Sequence, residues 1–186
     1  MTDNPFNALK HLYHQMDAAY DQTAESYGFL CTGCDDNCCY SLFYHHTHVE
    51  QQYLLAGFSE LSPARQKDIL SRAKEYCSSA FRPENDVQPP KKICPANEND
   101  RCLLYTHRPM ICRLHGLPHE LKVPGRPLIK GRGCAAGRFE QKEYVPFDRT
   151  RFYQQMAEIE MVFRQTAQLS GKTKMTIAQI LLSADK

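Results

Sequence analysis

All nine cysteines fall from Cys31 to Cys134, eight of them in three groups separated by long spacers. The first is Cys31, Cys34, Cys38 and Cys39, reading C-T-G-C-D-D-N-C-C; the second is Cys94, Cys102 and Cys112; the third is Cys134 alone. Thiols so closely spaced in a reducing compartment point to a bound metal ion or cluster rather than to disulfides. Zinc takes four ligands in a tetrahedron, and C-x2-C, as in Cys31 and Cys34, is the spacing at which a tight turn brings two sulfurs to one ion. Adjacent residues such as Cys38 and Cys39 point different ways from the backbone, so either they serve different metals or one of them bridges. Eight thiols at four per site make two zinc ions the simplest stoichiometry, with iron or a single [4Fe-4S] cluster as the alternative.

Two further groups of side chains bear on that chemistry. His115 lies at C-x2-H spacing from Cys112, and His45, His46 and His48 form a local cluster. Imidazole suits zinc and iron alike, and His115 as a ligand would make a Cys3His site with Cys134 the spare thiol. Lys91, Lys92, Arg101, Arg108, Arg113, Lys130, Arg132 and Arg138 lie beside the sulfurs in sequence. Thiolate-rich sites keep net negative charge that nearby donors offset, and Arg108 and Arg113, flanking Cys112, are the leading candidates. The ninth cysteine, Cys77, stands alone at helical spacing among apolar residues, where a small thiol packs well, and is expected in the core.

The motif Cys31-x2-Cys34-x3-Cys38-Cys39, followed by Cys94 and by Cys102-Leu103-Leu104-Tyr105-x2-Arg108-Pro109-x2-Cys112-Arg113, resembles the bacterial YkgJ-type cysteine cluster family, described as zinc- or iron-chelating. The resemblance covers roughly Phe29 to Cys134 and implies that the matched cysteines are metal ligands; it implies no reaction. A similar signature is shared with flagellin lysine methylases, which implies an iron-sulfur cluster and makes methyl transfer the competing activity. The chain departs from the family pattern at Asp35-Asp36-Asn37, where a shorter glycine-containing turn is common.

The elements that must hold these residues read mainly as helices. Phe6, Leu9, Tyr13, Met16, Tyr20, Thr23 and Tyr27 recur every three or four residues, predicting an amphipathic helix over 5–27, with Asn4 as N-cap, Pro5 at the first turn and Gly28 to end it. Thr47 to Gly57 reads as helix, and Ser62-Pro63 opens another with an inner face of Ile69 or Leu70, Ala73, Tyr76 or Cys77, and Ala80 or Phe81. Residues 82–101, punctuated by Pro83, Pro89, Pro90 and Pro95, read as loop. Cys102 to Tyr105 is expected as a short strand, Pro109 as the start of a brief helix, and Leu121–Val123 with Pro127–Lys130 as a small hairpin. Gly131, Gly133 and Gly137 leave room for the backbone to bend around Cys134. A long helix over 146–170 carries Phe152, Met156, Ile159, Phe163 and Ala167 inward, and Thr176 to Leu182 forms a short helix or strand. The expected fold is a single mainly α domain over 1–186, a helical shell around an irregular cysteine-rich centre at 29–134 with one small β-hairpin.

Length and charge set the outer bounds. The 186 residues suffice for one packed core without covalent staples. Twenty-three Lys and Arg against 21 Asp and Glu leave a formal charge of +2, which gives no general case for nucleic acid or an acidic membrane. The N-terminus lacks the basic and apolar pattern of a signal peptide, and no stretch approaches the roughly 18 apolar residues of a membrane span, so the expected location is the cytoplasm. The sequence shows no G-x-G-x-x-G, Walker, nucleophile-elbow or H-E-x-x-H motif. The expectation is therefore a protein that chelates zinc or iron, structurally or for metal handling, with metal ions as its partners; an iron-sulfur enzyme for redox or methyl transfer is the alternative. A nucleic-acid-binding zinc ribbon ranks last, because the second group has seven and nine residues between cysteines where a ribbon repeats C-x2-C.

Overall fold

A computed structural model describes residues 5–31, 38–80 and 92–185. Among these residues the chain is mostly helical, with two small sheets. It divides into two compact units, one formed by Met1–Cys38 with Met110–Ser170 and the other by Cys39–Pro109 with Gly171–Lys186. Among the described residues no helix is long and apolar enough to cross a membrane.

The first unit is built on two long helices, α1 (Asn7–Ser26) and α5 (Thr150–Thr166), which pack together. The α1 stripe buries Leu9, Tyr13 and Met16 as its period requires, and Leu12 and Ala24 join them. Pro5 and Phe6 form a turn before the helix, and the proposed cap Asn4 lies outside the described residues. Gly28, at φ +56°, ends α1 in a left-handed cap: its amide donates to the Glu25 carbonyl and the Phe29 amide to the Ala24 carbonyl at 2.8 Å. On α5 only Phe152 and Met156 are fully buried, Ile159 and Phe163 are half-buried and Ala167 is exposed, so the inner face fades along the helix.

Between these helices in sequence lie the short α4 (Met110–Arg113) and a three-stranded sheet. The hairpin forms with its strands further apart in sequence than its apolar residues suggest, β3 (Pro118–Leu121) antiparallel to β4 (Ile129–Arg132). A third strand, β5 (Phe147–Asp148), pairs parallel with β3 where the sequence reading has the start of a helix. The Asp148 carboxylate accepts from the Thr150 amide at 2.8 Å and so starts α5 four residues after Pro146. Buried Arg149 joins sheet and helix: its amide donates to the Glu120 carbonyl at 2.9 Å and its guanidinium to the Leu114 carbonyl.

The second unit packs α2 (His48–Ser59), α3 (Pro63–Ala80) and α6 (Ile177–Leu182) around Leu54, Phe58, Ile69, Ala96, Leu104, Ile180 and Leu181. Fully burying each aliphatic or aromatic side chain there stabilises by roughly 1.5–3 kcal/mol. The segment from Thr176 to Leu182, expected as helix or strand, resolves as α6 because Thr176 and Gln179 form a reciprocal capping box. Residues 97–101, expected as loop, join Cys102 in a hairpin of β1 (Asn97–Glu98) and β2 (Arg101–Cys102). The strand expected over Cys102–Tyr105 stops at Cys102, and Tyr105–His107 is a 3-10 turn. Residues 81–91 lie outside the description.

Candidate metal centre

The division of the chain falls between Cys38 and Cys39, so the two adjacent cysteines belong to different units. Cys31, Cys38, Cys112 and Cys134 lie in the first, Cys39, Cys94 and Cys102 in the second, and Cys34 is outside the described residues, as is the Asp35-Asp36-Asn37 turn.

In the second unit the backbone draws three of the predicted ligands together. The Cys94 amide donates to the Cys39 carbonyl at 2.7 Å. Cys94-Pro95-Ala96-Asn97 then turns sharply, the Asn97 amide donating to the Cys94 carbonyl at 2.9 Å. Within that turn the Ala96 amide donates to the Cys94 sulfur. Cys102 is the register partner of Asn97 across the β1–β2 hairpin, whose central residues Asn99 and Asp100 take φ values of 50° and 61°, the arrangement a tight two-residue hairpin demands. The Leu103 amide, donating to the Ala96 carbonyl at 2.8 Å, continues the pairing past Cys102.

Electrostatics agree with this gathering. Burial holds the Cys94 thiol well above its ordinary range, and Cys39 and Cys102 push it the same way, while the Ala96 amide and the Arg72 guanidinium oppose them. Helix α3 supplies that guanidinium: Arg72 donates to the Asn97 carbonyl and pairs with Asp68 at 3.1 Å. One turn further along, the Tyr76 phenol is raised, first by burial and then by Cys94, Cys77 and Tyr44. Cys77 itself is half-buried, short of the core position its spacing predicts, and burial raises its thiol.

In the first unit the four cysteines sit in unlike places. Cys31 is exposed, Cys38 and Cys112 are half-buried, and Cys134 is buried. Cys134 follows Gly133, at φ +80°, and its amide donates to the Gly116 carbonyl at 2.8 Å. Gly116, at φ +109°, lies close beneath the thiol: a β-carbon there would stand 3.9 Å from the Cys134 sulfur and 3.0 Å from the Tyr20 hydroxyl. Of the glycines expected around Cys134, Gly133 takes the special backbone angle, and Gly116 is the further one that chemistry alone does not flag. Phe29 and Phe139, with ring centroids 5.1 Å apart, and Tyr27, 4.8 Å from Phe139, form an aromatic wall beside that segment.

The cations and imidazoles find specific places. Buried Arg113 donates to the Asp17 carboxylate at 2.6 Å and lies 4.0 Å from the Tyr13 ring centroid, tying α4 to α1. Arg108 stacks 3.6 Å over the Tyr105 ring. Lys130 pairs with Glu120 at 2.9 Å, and Arg101, Arg132 and Arg138 are exposed. His115 is half-buried, and its charge helps depress the imidazole of His119, which burial and Arg149 lower more strongly. His45 is 2% exposed, its backbone paired with Met175. Among the described residues, no three cysteine, histidine or acidic side chains stand in an arrangement that holds one metal ion as placed.

Compared with protein-family models, with curated proteins and with solved structures, the chain finds no match.

Proposed function

We propose that the chain chelates metal through its cysteines, zinc in the simplest case, at two sites of which each unit provides one. The observation that carries this reading is the turn at Cys94: an amide of residue i+2 aimed at the sulfur, Cys39 tied to its backbone, and Cys102 set opposite by a hairpin. Amide donation to sulfur stabilises the thiolate that a metal ligand must become. An apolar packing role for Cys94 uses none of this. As placed, the three sulfurs do not surround one point, so binding an ion would require them to close on it. Cys31, Cys34, Cys38, Cys112 and Cys134 form the pool for the other site. The bound ion would neutralise buried thiolates and fix the irregular segments around them, a structural or metal-handling role.

The test is elemental analysis and an absorption spectrum on protein prepared without oxygen, together with single serine variants. About two zinc per chain without a visible band is the expected result; iron with sulfide would instead select a cluster. Cys94→Ser, Cys102→Ser and Cys39→Ser should each lower metal content by about one ion per chain, and Cys77→Ser should leave it unchanged. Full occupancy in the first three would overturn the assignment.

A further inference from the structure

The near-neutral charge of the whole chain conceals a local asymmetry. From Lys122 to Lys142 the sequence holds six cations, Lys122, Arg126, Lys130, Arg132, Arg138 and Lys142, and one acid, Glu140. All six cations are exposed. They occupy the β3–β4 hairpin and the two 3-10 turns that follow it, Ala135–Gly137 and Phe139–Gln141. Two are engaged: Lys130 with Glu120 at 2.9 Å, and Lys142 with the Tyr27 carbonyl at 2.6 Å. Lys122, Arg126, Arg132 and Arg138 form no side-chain ion pair among the described residues. Acidic groups on neighbouring elements, Glu120, Glu143 and Asp148, are fewer, and Glu120 is already shared by Lys130 and the Tyr144 hydroxyl.

The hairpin displays these charges. β4 is an edge strand, and on it Lys130 and Arg132 lie two residues apart on one face, a separation of roughly 6.7 Å that is close to the distance between successive phosphates of a single strand. Arg126 sits at the tip beside Gly125, whose φ of +72° turns the chain and whose surroundings are open space. Tyr144 is 48% exposed, with the Lys130 ammonium 5.4 Å from its ring centroid.

We propose that this ribbon binds the phosphate backbone of single-stranded nucleic acid, with Lys122, Arg126, Arg132 and Arg138 as the phosphate contacts and Tyr144 as a stacking face. Surface cations without acidic partners, gathered on the hairpin and the turns that follow it, are an electrostatic footprint for a polyanion, and the exposed Tyr144 ring beside Lys130 suits a base. The exposed aliphatic pair Leu128–Ile129 offers too little apolar area to anchor the ribbon in a bilayer. The proposal does not depend on the metal reading.

The experiment is fluorescence anisotropy of a labelled mixed-sequence oligonucleotide of about 20 nucleotides against the full chain, metal as purified, between about 50 and 200 mM salt. Four phosphate contacts predict a slope of log K against log salt near −3, at about −0.7 per contact. Arg126→Ala, Arg132→Ala and Arg138→Ala should each flatten the slope by about 0.7, and the triple variant should weaken binding by about tenfold or more at low salt, equally for different sequences. A control triple variant of exposed cations elsewhere, Lys10→Ala, Lys67→Ala and Lys172→Ala, loses the same charge and should bind as the parent does. Circular dichroism confirms that each variant keeps its helix content. Absent binding at low salt, equal weakening in the control, or binding confined to vesicles of acidic phospholipid would each overturn the proposal.

Discussion

Replacing His45 with phenylalanine should remove a large part of the acid sensitivity of this protein. The imidazole is 2% exposed, and its Nε2 has no hydrogen-bond partner among the described residues, so no neighbour stabilises a second proton. Burial, reinforced by the nearby charge of His46, lowers its pKa from 6.5 to about 4. Between those values the unfolded chain binds a proton that the folded chain refuses. Stability is therefore complete above pH 6.5 and declines as pH falls, until both states are protonated below about 4. The gap of about 2.5 pKa units, at about 1.4 kcal/mol each, amounts to roughly 3 kcal/mol, against a typical domain stability of 5–15 kcal/mol. The backbone bonds between His45 and Met175, at 2.8 and 3.1 Å, do not involve the ring, and phenylalanine keeps its shape. Urea unfolding followed by circular dichroism near pH 7, 6, 5 and 4 measures the effect. The wild type should lose roughly 3 kcal/mol more than the variant between the two ends of that range. Protonation of carboxylates, and acid release of any bound metal, are common to both proteins and cancel in the comparison. Parallel stability curves would refute the argument, because they would mean that His45 titrates alike in folded and unfolded chains.

Two other perturbations probe the scaffold around the cysteines. Asp17→Ala leaves the Arg113 guanidinium buried without its carboxylate and should cost on the order of 3 kcal/mol, whereas Arg113→Met leaves a partly exposed carboxylate and should cost less; thermal unfolding that ranks them the other way would show that the Tyr13 stack, not the ion pair, holds α4 to α1. Gly57→Ala drives a β-carbon into the His107 ring and should destabilise by roughly 1–3 kcal/mol, a result that the milder His107→Ala background should largely reverse in a double-mutant cycle.

Much of the helical scaffold is legible in the sequence because helices announce themselves locally. The α1 stripe, the Gly28 stop and the Ser62-Pro63 start are each set by residues within a turn of one another. The strands were harder to read for the opposite reason. β5 pairs with β3 across 28 residues of chain in the register His119 to Phe147, and two residues carry too little pattern to signal that partnership. The fading of α5 beyond Met156 is likewise invisible to periodicity, which counts apolar residues without knowing where the opposing helix ends.

The cysteine pattern says nothing of how the backbone sets Cys39, Cys94 and Cys102. Cys94-Pro95-Ala96-Asn97 followed by Asn99-Asp100 holds the needed signals: a proline to set the turn, and two residues that accept the left-handed region to close a hairpin. Four prolines in the surrounding stretch hid them under the signature of a loop. The Ala96 amide could not be found at all by inspecting side chains, since any residue but proline supplies one. Arg72 and Tyr76 come to the Cys94 turn from an earlier helix, at i and i+4 on the face of α3 that meets the hairpin. Two consecutive side chains diverge from one backbone, so a double cysteine is suited to feed two centres rather than to clasp one. If that is its role, inserting one glycine between Cys38 and Cys39 should leave both sites able to load, whereas a shared ion would be lost. Metal stoichiometry in that variant separates the two arrangements.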